Sequence, residues 1–327
     1  MRAPVIAVLL LASACGQPQD PTATASTGSV QTSASTPSAP RERQSQAPQP
    51  PAPGPLPARL DCLRESGGVL LIGHRGGPTR DFPENALETF DRTLKAGTRA
   101  AEIDIAQTRD GQLVLMHDDD LDRTTTGKGL VSDHAWDEIA KLKLKTYSKT
   151  TDFRVPTLDE ALVWAVQNHA TLELDKKKSA SWDPIVDRVR AAKAENNVFL
   201  ITYTDDQAVE AHQKAPDLMI TATIDSTAQL DQLLARGVKA DHLIAWTGTE
   251  RPDPELWKAL AARGIESAFG TLGPRSSSLD TRYWEDGNGD EYDDLVSGGL
   301  PVLVTSLTDK VSRQLSDSRR KASACGF

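Results

Sequence analysis

Cysteine is scarce in this chain of 327 residues: there are three, and none forms a cluster with histidine. A zinc site built on cysteine and histidine is therefore excluded. Basic charge is also short, with 37 Lys and Arg against 46 Asp and Glu, a net charge of −9. The first 58 residues hold three basic and two acidic side chains, so residues 59–327 carry 34 against 44, net −10. Nucleic acid is excluded as a partner, because such binding draws its affinity from Lys and Arg against phosphate. The apolar run near the start, Val5 to Leu11, is too short to span a bilayer, which takes about 20 apolar residues. Aromatic residues are missing altogether from residues 16–58, where Pro, Ser, Thr, Ala and Gln dominate. The first 58 residues hold 11 of the 20 prolines. Such a stretch cannot bury enough apolar surface to offset its ordering entropy, and its prolines favour extended conformations. Residues 16–58 are expected to form a disordered tether ahead of one domain, 59–327, which no shift of composition divides.

The first 15 residues read as an export signal. Met1-Arg2 is a basic start, Val5 to Leu11 the apolar core, and Ala12-Ser13-Ala14-Cys15 a small-residue cleavage site. A cysteine at that place resembles a bacterial lipobox, although Ala12 stands where leucine is commonest. The same letters fit plain A-x-A cleavage, which would release a soluble protein. A lipid on Cys15 would anchor the chain without spanning the membrane. Gly16-Gln17 lacks the Asp that retains some lipoproteins at the inner membrane. The expected location is thus the periplasm, with an anchor at the outer membrane.

From Arg59 on, β-rich apolar runs recur near 69–73, 100–106, 112–117, 170–175, 197–202, 217–222, 241–246, 265–270 and 300–305. Helical segments lie between most of them. Leu87, Phe90 and Leu94 share a face before Gly97, Thr157 and Glu160 have capping-box spacing, and Asp253-Pro254 opens a helix that Gly264 ends. Strands alternating with helices indicate a parallel sheet with helical crossovers. Nine runs exceed by one what a TIM-type (β/α)₈ barrel needs, and Asp110-Gly111 leaves no room for a helix between the second and third. The barrel is still the best fit. It places chemistry at the C-terminal strand ends and the loops beyond them.

Those ends carry unusual side chains. His74-Arg75 follows the first run, Glu102 and Asp104 share one face of the second, and His117 closes the third. Two histidines are a candidate acid–base pair, since histidine titrates near neutral pH. Arg75 is a planar cationic fork for a phosphate. Two inward carboxylates repel unless a cation bridges them, and all-oxygen ligation suits Ca²⁺ or Mg²⁺.

The strings GHRGG (73–77), FPENALETF (82–90), AEIDIAQTRDGQLVLMHDDDLDRTTTGKG (101–129) and VPTLDEAL (155–162) closely resemble the glycerophosphodiester phosphodiesterase family. The likeness covers roughly 69–310, with dense motifs up to 160 and thin ones after. It implies a barrel of the phospholipase C-like superfamily and a metal-dependent hydrolase releasing glycerol 3-phosphate and an alcohol. His74 and His117 would be its acid and base, in either order. Arg75 would hold the phosphate, Gly76 and Gly77 would let the backbone approach it, and Asn85 would contact ligand or cap a helix. Glu102 and Asp104 would bind the metal. The family commonly shows Asn-x-Glu-x-Lys on the fourth strand, where this chain has Thr171-Leu172-Glu173-Leu174-Asp175-Lys176-Lys177. Either Glu173 is the third ligand and Asp175 replaces the lysine, or Glu173, Asp175 and Lys177 share the inner face. The second register matches the apolar alternation and is preferred, with Lys177 near the phosphate and both Asp175 and Glu173 in the metal set.

Further on, Phe269 ends a strand and is expected either to line the substrate pocket or to pack in the core. Asp286 to Asp290 resembles the start of a calcium loop without its sixth-position glycine and twelfth-position acid, so a polar turn competes. Cys62 and Cys325 stand at the two ends of the domain, which a barrel brings together. They could form a disulfide in an oxidising periplasm or remain two thiols. A phospholipase acting on intact lipids, or a lipoprotein that only binds phosphodiesters, are the alternatives to the hydrolase.

Overall fold

The computed structural model describes residues 54–274 and 276–327. The expected signal at 1–15, the lipid site Cys15 and the tether up to residue 53 lie outside the described residues. Among the described residues, no helix is long and apolar enough to cross a membrane.

In chain order the strands are β1 Leu70–Gly73, β2 Ala100–Gln107, β3 Leu113–Leu115, β4 Lys143–Lys145, β5 Thr150–Arg154, β6 Thr171–Lys176, β7 Val198–Ile201, β8 Met219–Thr223, β9 Leu243–Trp246, β10 Glu266–Gly270 and β11 Val302–Thr305. Eight of them, β1, β2 and β6 to β11, pair in parallel as neighbours, and β11 returns to β1 to close the expected TIM-type barrel. The surplus run is β3, which lies antiparallel on β2 with Leu115 opposite Ile105. Between them Gly111 turns at φ 88°, and a link this short can only make a hairpin, because a parallel crossover needs a dozen or more residues. His117 therefore does not end a barrel strand. It reaches the mouth from this antiparallel arm.

Period-two alternation sorts each strand into an inner and an outer face. Leu70, Ile72, Ala100, Phe199, Met219, Ile244, Ala268, Val302 and Val304 fill the barrel. Ala101, Ile103, Leu172, Leu174, Leu200 and Ile220 face the surrounding helices instead. Since Ala100 points inward, so do Glu102 and Asp104. Their parallel partners Glu173 and Asp175 stand beside them on β6. Phe269 has the opposite parity. It is fully buried outside the barrel, 5.8 Å from the Trp257 ring and near Tyr292 and Leu303, so it packs the core and lines no pocket.

The helical expectations are met in detail where caps were readable. Thr157 Oγ1 accepts from Glu160 N–H and the Glu160 carboxylate accepts from Thr157 N–H at 2.9 Å, closing the capping box of the helix Leu158–Asn168. Asp253 caps Pro254–Ala261 by accepting from Leu256 N–H at 3.0 Å. The first helix, Leu56–Ser66, begins ahead of the boundary placed at Arg59. Its prolines lie at its N-terminus, where a missing N–H costs nothing. Leu56, Leu60 and Leu63 at i, i+4 and i+7 plug the barrel floor. Cys62 on this helix is bonded to Cys325 beyond the last helix, Ser316–Ala324, with 5.6 Å between their Cα atoms. The segment between β3 and β6 carries its own small core of Val131, Ile139, Leu144 and Val155 and the hairpin β4–β5. That hairpin is too polar to appear among the nine apolar runs. Asp286 to Asp290 is a self-satisfied turn, with Asn288 N–H donating to Asp286 and Asp290 N–H to Asn288.

Candidate active site

After Gly73 the chain makes one tight turn, His74–Gly76, with Arg75 at φ 50°, Gly76 at φ 83° and Gly77 at φ 80°. This left-handed run is strained for a side chain such as arginine, and a hydrogen bond from Arg75 N–H to Glu102 Oε2 at 2.6 Å holds it. The two glycines serve packing rather than ligand approach. A Cβ on Gly76 would lie 2.3 Å from the Phe90 ring, and one on Gly77 would lie 2.7 Å from Thr308 Oγ1.

A cavity of about 320 Å³ opens at the C-terminal mouth, and His74, Glu102, Asp104, His117, Glu173, Asp175 and Lys177 all line it. One oxygen from each of Glu102, Asp104 and Asp175 can be chosen so that all three lie within 4.8 Å of one another. Lys177 Nζ is 2.5 Å from Asp104 Oδ1 and 2.6 Å from Asp175 Oδ2. The preferred register of the strand, with Glu173, Asp175 and Lys177 on the inner face, is thus present. Glu173 stands one inward position deeper and outside the triad.

Asn85 sits at φ 56° and spends both ends of its amide on Asp104, donating to Oδ2 at 2.6 Å and accepting from the Asp104 N–H at 3.1 Å. It is buried behind the triad and off the cavity wall, and the helix that follows is capped at Ala86. Asn85 is thus a support for Asp104, neither a helix cap nor a wall of the substrate cavity.

Burial, then the neighbouring Asp104 and Asp175 charges, hold the Glu102 carboxyl well above its usual range. Burial also works upward on Asp104, but Lys177 and Arg75 outweigh it and hold that carboxyl low. Glu173 is pushed up to about 8 by burial and by Asp175. His74 is pushed down to about 4, by burial first and by Arg75 next, and its Nδ1 is 3.3 Å from Ser306 Oγ. His117 is arranged differently. Its Nδ1 lies 2.7 Å from Asp118 Oδ1, which leaves Nε2 for the cavity.

Three buried carboxylates with all-oxygen donors, one of them carrying an unpartnered atom, Asp175 Oδ1, fit a hard divalent cation. The Lys177 ammonium neutralises part of the same charge.

Two features lie outside the sequence-derived set. Arg123 donates to both oxygens of Glu84 at 2.8 and 2.7 Å and to Asp118 at 2.6 and 2.9 Å. Glu84 in turn accepts from Arg75 at 3.0 Å. One guanidinium thereby ties the arm of His117 to the fork of Arg75. Arg123 stands inside the recognisable string 101–129, so a signal for it existed. Tyr203, just past β7, donates its hydroxyl to Asp175 Oδ2 at 2.7 Å. Nothing in its local sequence marks it, because only the closure of the barrel brings it to β6.

The sequence profile of the glycerophosphoryl diester phosphodiesterase family matches residues 74–266. Bacillus subtilis YqiK, an uncharacterized protein, is 31% identical over 50% of this chain and 71% of its own length. A glycerophosphodiester phosphodiesterase of Caldanaerobacter subterraneus is 30% identical over 46% of this chain and 65% of its own. The aligned part thus spans somewhat under two thirds of that enzyme. A crystal structure of a glycerophosphoryl diester phosphodiesterase from Parabacteroides distasonis superposes with a TM-score of 0.69 at 28% identity, covering 79% of this chain and 91% of that one. With the profile spanning well over half of the residues and the fold in agreement, the chain belongs to the glycerophosphoryl diester phosphodiesterase family.

Proposed function

We propose that this protein hydrolyses glycerophosphodiesters to glycerol 3-phosphate and an alcohol, with Ca²⁺ or Mg²⁺ at Glu102, Asp104 and Asp175. The observation that carries the reading is the meeting of two unlike histidines, an acid triad and the Lys177 ammonium in one cavity, with Arg75 Nε 3.6 Å from Asp104 Oδ2. Arg75 and Lys177 hold the non-bridging phosphate oxygens and the charge that grows on them. His74, kept neutral by its surroundings, takes the proton of the attacking water or hydroxyl. His117, whose Nδ1–H is held by Asp118, donates from Nε2 to the departing alkoxide. A bound divalent cation would supply Lewis-acid polarisation of the phosphate and offset its charge. A protein that only bound phosphodiesters would have no use for a paired acid and base.

The test is release of glycerol 3-phosphate from glycerophosphocholine and related diesters by the whole chain, with Ca²⁺, Mg²⁺ or EDTA. Cation-dependent release is expected. A folded protein that releases none from any diester sinks the proposal.

Export and a lipid anchor on Cys15 belong to the same proposal. The Cys62–Cys325 bond supports an oxidising compartment. Metabolic labelling with a fatty acid is expected to mark the wild type and miss Cys15→Ala. Equal labelling of both would rule the anchor out.

A further inference from the structure

Glu173 is 3% exposed, lines the catalytic cavity and makes no hydrogen bond with any described protein group. A buried carboxyl without a partner is costly, and native structures rarely keep one that has nothing to bind. On the same inner level the hydroxyl of Thr221, a residue 2% exposed on β8, is also without a partner. Ile201, Trp246, Leu272 and Val304 add apolar surface to the same wall, beside Thr202, Tyr203 and Thr249. A ligand filling the space needs hydrogen-bonding groups on one edge and C–H groups on the other. Glu173 stands two residues before Asp175, about 6.6 Å along the strand, and a three-carbon chain attached to the phosphate covers that span.

We propose that Glu173, with Thr221 beside it, is the specificity residue for the glycerol end of the substrate. Its carboxyl accepts from the vicinal hydroxyls while the carbon edge of the glycerol lies on Trp246 and Leu272. The glycerol therefore enters the barrel and the alcohol to be released points outward. The inference rests on the hydrolase reading above and adds to it which half of the diester is recognised. An acceptor oxygen is present whether Glu173 is protonated or not, so the assignment does not depend on its charge. A diester of a simple alkyl alcohol would leave Glu173 and Thr221 desolvated and unpaired, which is where discrimination comes from.

The experiment compares kcat/KM for glycerophosphocholine and for propyl phosphocholine, which lacks both hydroxyls, and for glycerophosphoglycerol, whose head group is uncharged. The enzymes are the wild-type chain, Glu173→Gln and Glu173→Leu. The wild type is expected to prefer the diol over the propyl ester by roughly 10- to 100-fold, the worth of one or two such hydrogen bonds. Glu173→Gln, which keeps an acceptor oxygen, retains part of the preference. Glu173→Leu brings it towards 1. Calorimetric titration of Ca²⁺ or Mg²⁺ into the same variants is expected to show near-equal affinities. A preference unchanged in Glu173→Leu overturns the inference. So does a change confined to the choline against glycerol head groups, which would mean that Glu173 reads a cation. A collapse of metal affinity in Glu173→Leu would place the residue in the metal set instead. Each of these outcomes leaves the hydrolase reading standing, whereas a wild type inactive on all three diesters overturns both.

Discussion

Replacing His117 by alanine is expected to lower kcat on glycerophosphocholine by about 10²- to 10⁴-fold, the usual range for a general acid. The same variant should lose far less on a glycerophosphodiester of p-nitrophenol, whose departing phenolate needs no proton. His74→Ala should lose a similar factor on both, because the base is required whatever leaves. The asymmetry follows from the two environments. His117 Nδ1–H donates to Asp118 Oδ1 at 2.7 Å, and Arg123 fixes that carboxylate, so the ring is held with Nε2 directed to the cavity. His74 has no carboxylate partner and is pushed down to about 4 by burial and by Arg75. As the base, His74 works only when neutral, so activity falls as pH drops through its pKa. With cation in excess, the acidic limb of kcat/KM should therefore lie well below that of an ordinary imidazole. A p-nitrophenyl ester that suffers equally in both variants would contradict the division of roles, as would an acidic limb near pH 6.5.

Removing divalent cations with EDTA should suppress hydrolysis by at least about 10³-fold, corresponding to several kcal/mol of lost transition-state stabilisation. The same cation should raise the melting temperature in a concentration-dependent way, since anything that binds only the folded state stabilises it. The cause is local. Glu102, Asp104 and Asp175 bring oxygens within 4.8 Å of one another in a buried site, and Arg75 and Lys177 offset their repulsion in part. Asp175→Asn should lose both the activity and most of the melting shift while remaining folded, because it removes one of the repelling charges. Full activity in EDTA, together with a melting temperature indifferent to Ca²⁺ and Mg²⁺, would contradict the metal assignment.

The parts of this site that were legible beforehand are those fixed by local spacing. Glu102 and Asp104 share a face of any strand, and so do Glu173, Asp175 and Lys177. His74, Arg75 and His117 stood in strings dense enough to recognise. Phe269 shows the limit of such reading. Its place at a strand end suited a pocket residue, but its parity turned it to the helices, and only the partners of Ala268 and Gly270 settle which face is inside. Gly76 and Gly77 make the same point, since their need for no side chain comes from Phe90 and Thr308 across the turn. The helix at Leu56 was hidden by composition: its prolines belong to a helix start, yet they read as more linker.

What the sequence by itself determined is the order of the barrel strands, which residues share one face of a strand, and the residue types delivered to the barrel mouth, because these follow from period-two alternation, caps and turn chemistry within a few residues. What only the tertiary structure decided is which of those residues meet. The antiparallel arm that carries His117, the bridge of Arg123 between Glu84 and Asp118, the hydroxyl of Tyr203 on Asp175 and the unpartnered Glu173 all depend on contacts between segments distant in the chain. Such contacts are fixed by the closure of the sheet and the packing of its loops, for which no short stretch of sequence carries the information.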